Sequence, residues 1–253
     1  MRDSDPTACV LIIGNEILSG RTKDTNSGWI ADRLTLLGIR LQEIRVIPDV
    51  EATIVSVVNE VRARYTYVFT CGGIGPTHDD ITAESIAKAF GVPWELNEEA
   101  RAILRSNYSR DEDLTPARLR MAMIPRGAEL VANPISKAPG FRTGNVYTFA
   151  GVPRIMQAMF EGVAPHLKRG NVLLSHTIVG NVAEGRIGDP LAALQRCYAD
   201  IEIGSYPGQR ADGTFRNSVV LRGTDRERLA AAAREVKDLI QSLGGEAVDE
   251  PPQ

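Results

Sequence analysis

Two adjacent carboxylates, Asp79 and Asp80, follow three glycines within four residues, Gly72, Gly73 and Gly75, in the stretch Val68-Phe69-Thr70-Cys71-Gly72-Gly73-Ile74-Gly75-Pro76-Thr77-His78-Asp79-Asp80-Ile81-Thr82. Glycines in such a loop allow positive φ and a close approach of backbone to a ligand. A helix starting after them presents unpaired N–H groups and a positive dipole end, which suit phosphate. Carboxylates beside a phosphate site fit a divalent cation bridging protein and ligand. A plain βα turn, with Asp80 or Thr82 capping the helix, accounts for the same residues without a ligand. Asp80 is thus a candidate for metal or reaction chemistry, and Asp79 for metal. Thr70, Gly72, Gly73, Gly75, Pro76 and Thr77 are candidates for phosphate contact. Cys71 reads as a small apolar packer rather than a nucleophile, and His78 as a candidate proton carrier.

These residues need a strand before them and a helix after them. Tyr67 to Thr70 is apolar and β-prone, and a helix is expected from Thr82 to Phe90, closed by Gly91. The same punctuation recurs upstream. Cys9-Val10-Leu11-Ile12-Ile13 is a continuous apolar run ending at Gly14, as in a buried parallel strand. Gly14, Asn15 and Glu16 then fall at the ligand edge, Glu16 as a metal candidate. Asp24 and Asn26 can reach a ribose or phosphate, and Asn26 or Ser27 can cap a helix carrying Ile30, Leu34 and Leu37. Ile39 to Ile47 is a second strand. Asp49 follows it, either as cap of the helix carrying Ile54, Val57, Val58 and Val61 or as a reacting carboxylate. Strands alternating with amphipathic helices predict an α/β fold, a mostly parallel sheet with helices on both faces. Ligands bind such sheets at the carboxyl ends of the strands.

Beyond residue 97 a charged helix is expected over 97–110, and Thr115-Pro116 suits a helix start. Ala128–Val131 reads as a strand leading to Asn133-Pro134-Ile135-Ser136-Lys137-Ala138-Pro139-Gly140-Phe141, where Ser136, Lys137, Pro139 and Gly140 are candidates for phosphate contact. Asn145–Ala150 reads as a closing strand, and Gly151-Val152-Pro153 as the opening of a helix. A boundary is expected between Pro165 and Gly170, giving domains 1–168 and 169–253. The second is expected to be a small α+β layer of three strands and two helices, one of them starting at Pro190 with Asp189 as cap. Residues 1–7 and 244–253 are expected to be disordered.

The composition narrows the function classes. The 253 residues are 43% apolar with a net charge of −3, enough for a packed core and without a basic surface for nucleic acid. Three cysteines and three histidines are dispersed, which argues against a disulfide framework or a zinc site. No leader-like run precedes Cys9 and no stretch approaches the roughly 20 apolar residues of a membrane span. A cytoplasmic protein that binds neither nucleic acid nor membrane is the expectation.

Gly14-Asn15-Glu16-Ile17-Leu18-Ser19-Gly20 with Asp24-Thr25-Asn26 resembles the opening signature of CinA-type competence/damage-inducible proteins. The stretch from Thr70 to Thr82 is similar to their central motif, shared more loosely with the MoaB, MogA and gephyrin molybdopterin-binding domains. Asn133 to Phe141 and Gly151-Val152-Pro153 resemble further landmarks of that family over residues 9–167, and 172–243 is similar to its KH-like domain. The sequence departs from the family at Cys71, where a threonine is usual, at Ala150 for proline and at Ile155 for glutamate. The resemblance implies a molybdopterin-binding-like fold with a site for a phosphorylated nucleotide or pterin, and for the KH-like domain the expectation is interface formation in a homo-oligomer. It implies divalent-metal-dependent (Mg, Mn or Co) cleavage of the pyrophosphate of ADP-ribose or FAD, or else molybdopterin binding or adenylylation; a non-catalytic binding module is the third reading. It places the important aspartates at Asp49 and Asp80. The C-terminal amidase domain of many relatives is not expected here. Gly185-Arg186-Ile187-Gly188 has the GxxG spacing of a nucleic-acid-clamping loop, but Glu184 and Asp189 flank it, and a plain turn is expected.

Overall fold

The computed structural model describes residues 5–209 and 215–250, and the chain divides into two compact units, 1–170 and 171–253. The first unit runs β1 (Thr7–Ile13), α1 (Asn15–Leu18), α2 (Asn26–Leu36), β2 (Arg40–Ile47), α3 (Glu51–Arg64), β3 (Tyr67–Cys71), α4 (Thr82–Phe90), β4 (Trp94–Leu96), α5 (Glu98–Arg105), α6 (Pro116–Leu119), β5 (Met123–Pro125), β6 (Glu129–Val131), β7 (Gly140–Thr143), β8 (Val146–Phe149) and α7 (Pro153–Val163). Its main sheet has the order β2-β1-β3-β8-β7-β6. The first four strands are parallel, and β7 runs antiparallel to both of its neighbours, β8 and β6. β4 and β5 form a separate antiparallel pair.

The unbroken apolar run of β1 is explained by burial on both faces. Ala8, Val10 and Ile12 pack with Ile30 and Leu34 of α2 and with Met156, Met159 and Phe160 of α7. Cys9, Leu11 and Ile13 pack on the other face with Ile54, Val58 and Val61 of α3 and Ile86 of α4. Phe69 and Phe149 on neighbouring strands stack at 6.0 Å, and Phe160 closes over Phe69 at 5.4 Å. With both faces covered, ligand access falls to the strand ends. α4 ends at Gly91, whose φ of 66° only glycine adopts freely.

The second unit runs β9 (Leu174–Gly180), α8 (Glu184–Cys197), β10 (Glu202–Gln209), β11 (Phe215–Gly223), α9 (Arg226–Ser242) and β12 (Ala247–Glu250). Its sheet is antiparallel in the order β10-β11-β9-β12. Val219 and Leu221 of β11 pack under Leu229, Ala232, Val236 and Ile240 of α9.

Several expectations are corrected. α8 begins at Glu184, so the Gly185–Gly188 tetrad lies in its first turns, Asp189 caps nothing and Pro190 sits inside the helix. The sheet has four strands, because residues 247–250, expected to be disordered, form β12 against β9; residues 251–253 lie outside the described residues. Thr7, placed in the expected N-terminal tail, begins β1, and Asp5 and Pro6 are also described; residues 1–4 are not. Neither Asn26 nor Ser27 caps α2, whose cap position is Thr25. Asp49 does not cap α3 and neither Asp80 nor Thr82 caps α4; Val50 and Ile81 hold those positions without a side-chain bond.

Candidate functional site

The ends of β1, β3 and β8 meet at Gly72. Its N–H donates to the Phe149 carbonyl at 3.1 Å, its φ is 106°, and a Cβ there would run into the Ile13 carbonyl oxygen. A Cβ at Gly151 would come within 3.2 Å of the Gly72 Cα. Asp49 ties the neighbouring strand end in place, since its Oδ2 accepts the Asn15 N–H at 2.8 Å. Gly14 donates to the Ile47 carbonyl at 3.1 Å. Glu16 folds back over Gly14, where a Cβ would lie 2.7 Å from its carboxyl carbon.

A cleft of about 50 Å³ opens here, lined by Glu16, Asp24, Asn26, Gly72, Gly151 and Pro153, among others. Asp24 is committed to the start of α2, accepting the N–H of Asn26 at 2.9 Å and of Ser27 at 3.2 Å, and the Ser27 hydroxyl. Asn26 donates its Nδ2 to the Gly151 carbonyl at 2.8 Å, while its buried Oδ1 has no partner. A buried acceptor left open costs free energy until a donor reaches it. Cys71 borders the same cleft, but burial pushes its thiol up, the Asp24 charge adds to the shift, and no reactive thiolate results.

The glycine loop itself is held by its own chain. Gly73 has φ 67° with Thr82 where a Cβ would be, and its carbonyl accepts the Thr82 N–H at 3.0 Å. A Cβ at Gly75 would lie 2.6 Å from Asp80 Oδ2. That oxygen accepts the Thr77 N–H at 2.8 Å and the Thr77 hydroxyl. The Asp79 carboxyl is held below its usual range by the Thr77 hydroxyl, its own amide and the His78 charge. Thr70 and Thr82 are buried with their hydroxyl oxygens unpartnered. The amides of Gly73, Ile74 and Gly75 make no hydrogen bond to any described residue. Successive free amides at a loop are groups that can receive an anion.

One residue without any signal in the local sequence belongs here. Arg120 donates to the Asp80 carbonyl at 3.4 Å, lies over the Trp94 ring at 5.3 Å, and keeps a buried Nε unpartnered. Arg120, Asp80, Gly75 and Pro139 border one small cavity. Pro139 arrives on a loop organised by Asn133, whose Nδ2 donates to Ser136 Oγ at 2.7 Å and to the Ala138 carbonyl at 2.8 Å. Lys137 has φ 62°, the one non-glycine positive φ among the described residues. Such strain concentrates at functional sites. Gly140 is needed for packing, since a Cβ would strike the Thr148 carbonyl. Pro76 and Thr77 are exposed.

The structure thus forms two neighbourhoods: Glu16, Asp24, Asn26 and Gly72 around one cleft, and Gly75, Asp80 and Pro139 around the other, with Gly73 between them in the chain. Among the described residues no three His, Cys, Asp or Glu side chains gather as a metal cage. Magnesium-type ions are commonly held by one or two carboxylates with ligand phosphates and water completing the shell. Asp80, half-buried beside the free amides, fits that shared mode.

Fold and site together define a class. The chain belongs to the family described as "Probable molybdopterin binding domain", whose model matches residues 9–169, and residues 172–247 match "FAD synthase, middle domain". It is similar to a protein of Pyrobaculum calidifontis, 46% identical over 94% of this chain and 96% of that one. It is also similar to a protein of Aeropyrum pernix, 34% identical over 98% of each. Among solved structures it resembles "the protein CinA with unknown function from Thermoplasma acidophilum", 34% identical with a TM-score of 0.60, over 64% of this chain and 98% of that one. Among the described residues no helix is long and apolar enough to cross a membrane.

Proposed function

We propose that the first unit binds a phosphorylated nucleotide or pterin at the glycine loop and hydrolyses the pyrophosphate of an adenosine diphosphate derivative, of the ADP-ribose or FAD class, with a divalent metal. The observation that carries this is the run of three unpartnered amides, Gly73 to Gly75, beside the half-buried carboxylate of Asp80. The amides receive phosphate oxygens, and Lys137, Ser136 and Thr77 lie on loops at the same strand ends. Asn26 Oδ1 takes a hydroxyl or N–H donor of the ligand, such as a ribose hydroxyl. Asp80 holds the metal with the ligand's own phosphates, with Asp79 and Glu16 contributing through water. Bound there, a divalent metal supplies charge stabilisation at phosphorus and a more acidic water. Asp49 orders the adjoining strand end through Asn15. The match of the second unit to the middle domain of an FAD-forming enzyme supports a dinucleotide substrate.

The match of the first unit to a molybdopterin-binding family favours a second reading, binding or adenylylation of molybdopterin. A screen of ADP-ribose, FAD, NAD and molybdopterin, with and without Mg²⁺, Mn²⁺ or Co²⁺, separates the two. Metal-dependent release of a mononucleotide supports the hydrolase. Tight molybdopterin binding with every dinucleotide left intact contradicts it. We also propose a cytoplasmic homo-oligomer that uses neither nucleic acid nor membrane.

A further inference from the structure

The sheet of the second unit has helices on one face only, and the other face carries a groove of about 850 Å³ with mixed polar and apolar lining. Arg222, Val220 and Ser218 of β11 line it, with Ser175 and Thr177 of β9 and Tyr206 of β10. Register fixes their order. Arg222 stands opposite Ser175, Val220 opposite Thr177 and Gly204, and Ser218 opposite Tyr206. Directly opposite side chains on one face lie about 5 Å apart.

Three features distinguish this face from a solvated sheet surface. Arg222 is half-buried and makes no side-chain hydrogen bond or ion pair with any described residue. The Tyr206 ring leans over Gly204, where a Cβ would be 2.9 Å from Cε2, so the glycine makes room for an aromatic ring on the face that carries Arg222. The two carboxylates that line the groove, Asp249 and Glu250, are already engaged. Glu250 pairs with Arg216, and Asp249 pairs with Lys237 and, at 2.8 Å, with His176. Glu202, exposed opposite Arg222 on β10, makes no ion pair with it.

We propose that this face is a binding site for a phosphorylated planar heterocycle of the mononucleotide class. The ring stacks on Tyr206, and the phosphate takes the Arg222 guanidinium with the Ser175 and Thr177 hydroxyls. An unpaired arginine supplies the charge-assisted bonds such an anion needs, and an aromatic plate accepts any base by its π face. The inference does not rest on the reading of the glycine loop.

The test is an amide-resolved NMR titration of the full chain with AMP, ribose 5-phosphate and adenosine. AMP is expected to shift the signals of Ser175, Thr177 and Arg222 at saturating millimolar concentration, and shifts at Gly73 to Gly75 report the other site separately. Arg222→Gln should weaken AMP at this face about tenfold or more. Tyr206→Ala should weaken AMP about fivefold or more and leave ribose 5-phosphate unchanged. Thermal unfolding of both variants should match that of the parent. Silence of the β9 and β11 signals, or an Arg222→Gln protein that keeps its AMP affinity there, overturns the proposal. Concentration-dependent shifts of the same signals without ligand also overturn it, because a second copy of the chain then occupies the face.

Discussion

The two sheets solve the same problem in opposite ways. In the first unit β1 is buried on both faces, by α2 and α7 on one side and α3 and α4 on the other. No side chain of β1 can reach a ligand from the sheet's faces, so at the centre of the sheet polar groups collect where the strands end and backbone amides come free. In the second unit the helices cover one face, and β11 alternates half-buried and buried residues from Arg216 to Gly223. Arg222 and the hydroxyls therefore stand on the open face. Covering both faces moves recognition to the edge and to the backbone; covering one leaves it to side chains.

That contrast is breakable. The largest effect is expected from Phe69→Ala, which empties the centre of the Phe149 and Phe160 cluster. It should cost about 3–5 kcal/mol in denaturant unfolding. Gly72→Val comes next, because a branched Cβ meets the backbone carbonyl of Ile13 at a φ of 106°. About 3 kcal/mol is expected, with loss of ligand binding at the strand ends. A Gly72→Val protein of parental stability would show that the strand ends are not packed as described.

Acid should act on the first unit through the lattice between β2 and α3. Arg45 bonds Glu60 at 2.6 and 2.7 Å, and also pairs with Glu43. Arg45 lowers the Glu60 carboxyl to about 2, and Arg45 and then Tyr65 lower that of Glu43. Both folded values lie below the unfolded ones, so the stabilisation is present above about pH 4.5 and is lost as the pH falls toward about 2. Melting temperature against pH should fall in that window, and Glu60→Gln should flatten the fall. The smallest effect belongs to the open face. Gly204→Ala displaces only the Tyr206 ring, a flexible side chain, and should cost less than about 1 kcal/mol. A larger loss would mean that this face is packed, not open.

Much of the first unit is legible in the chain because its signals are local. The apolar run at 9–13 and the Gly91 stop each state one element by themselves. Thr115 caps α6 with Pro116 in its first turn, as expected, but the caps expected for α2, α3, α4 and α8 fail, because a carboxylate or amide near a helix is a cap only if the chain turns there. Asp49 bonds Asn15 instead, and Asp24 serves the turn into α2 from two positions upstream. Pro190 suggested a first-turn proline, yet α8 runs through it, with Ile187 and Leu191 both buried in the core of the second unit. β12 carries a single β-branched residue, Val248, and is specified by the edge of β9 and by the Lys237–Asp249 and Arg216–Glu250 pairs. Arg120 reaches Asp80 across 40 residues and leaves no pattern in the sequence.

The central claim is that Asp80 does chemistry beside the free amides, and Asp80→Asn measures it most directly. Asparagine keeps the shape and can still accept the Thr77 N–H and hydroxyl, so the loop should persist. Calorimetric titration with ADP-ribose in the absence of metal, alongside turnover with Mg²⁺ or Mn²⁺, separates binding from reaction. The account predicts unchanged metal-free binding and a rate about 100-fold lower or more. An Asp80→Asn protein that turns over like the parent would contradict it.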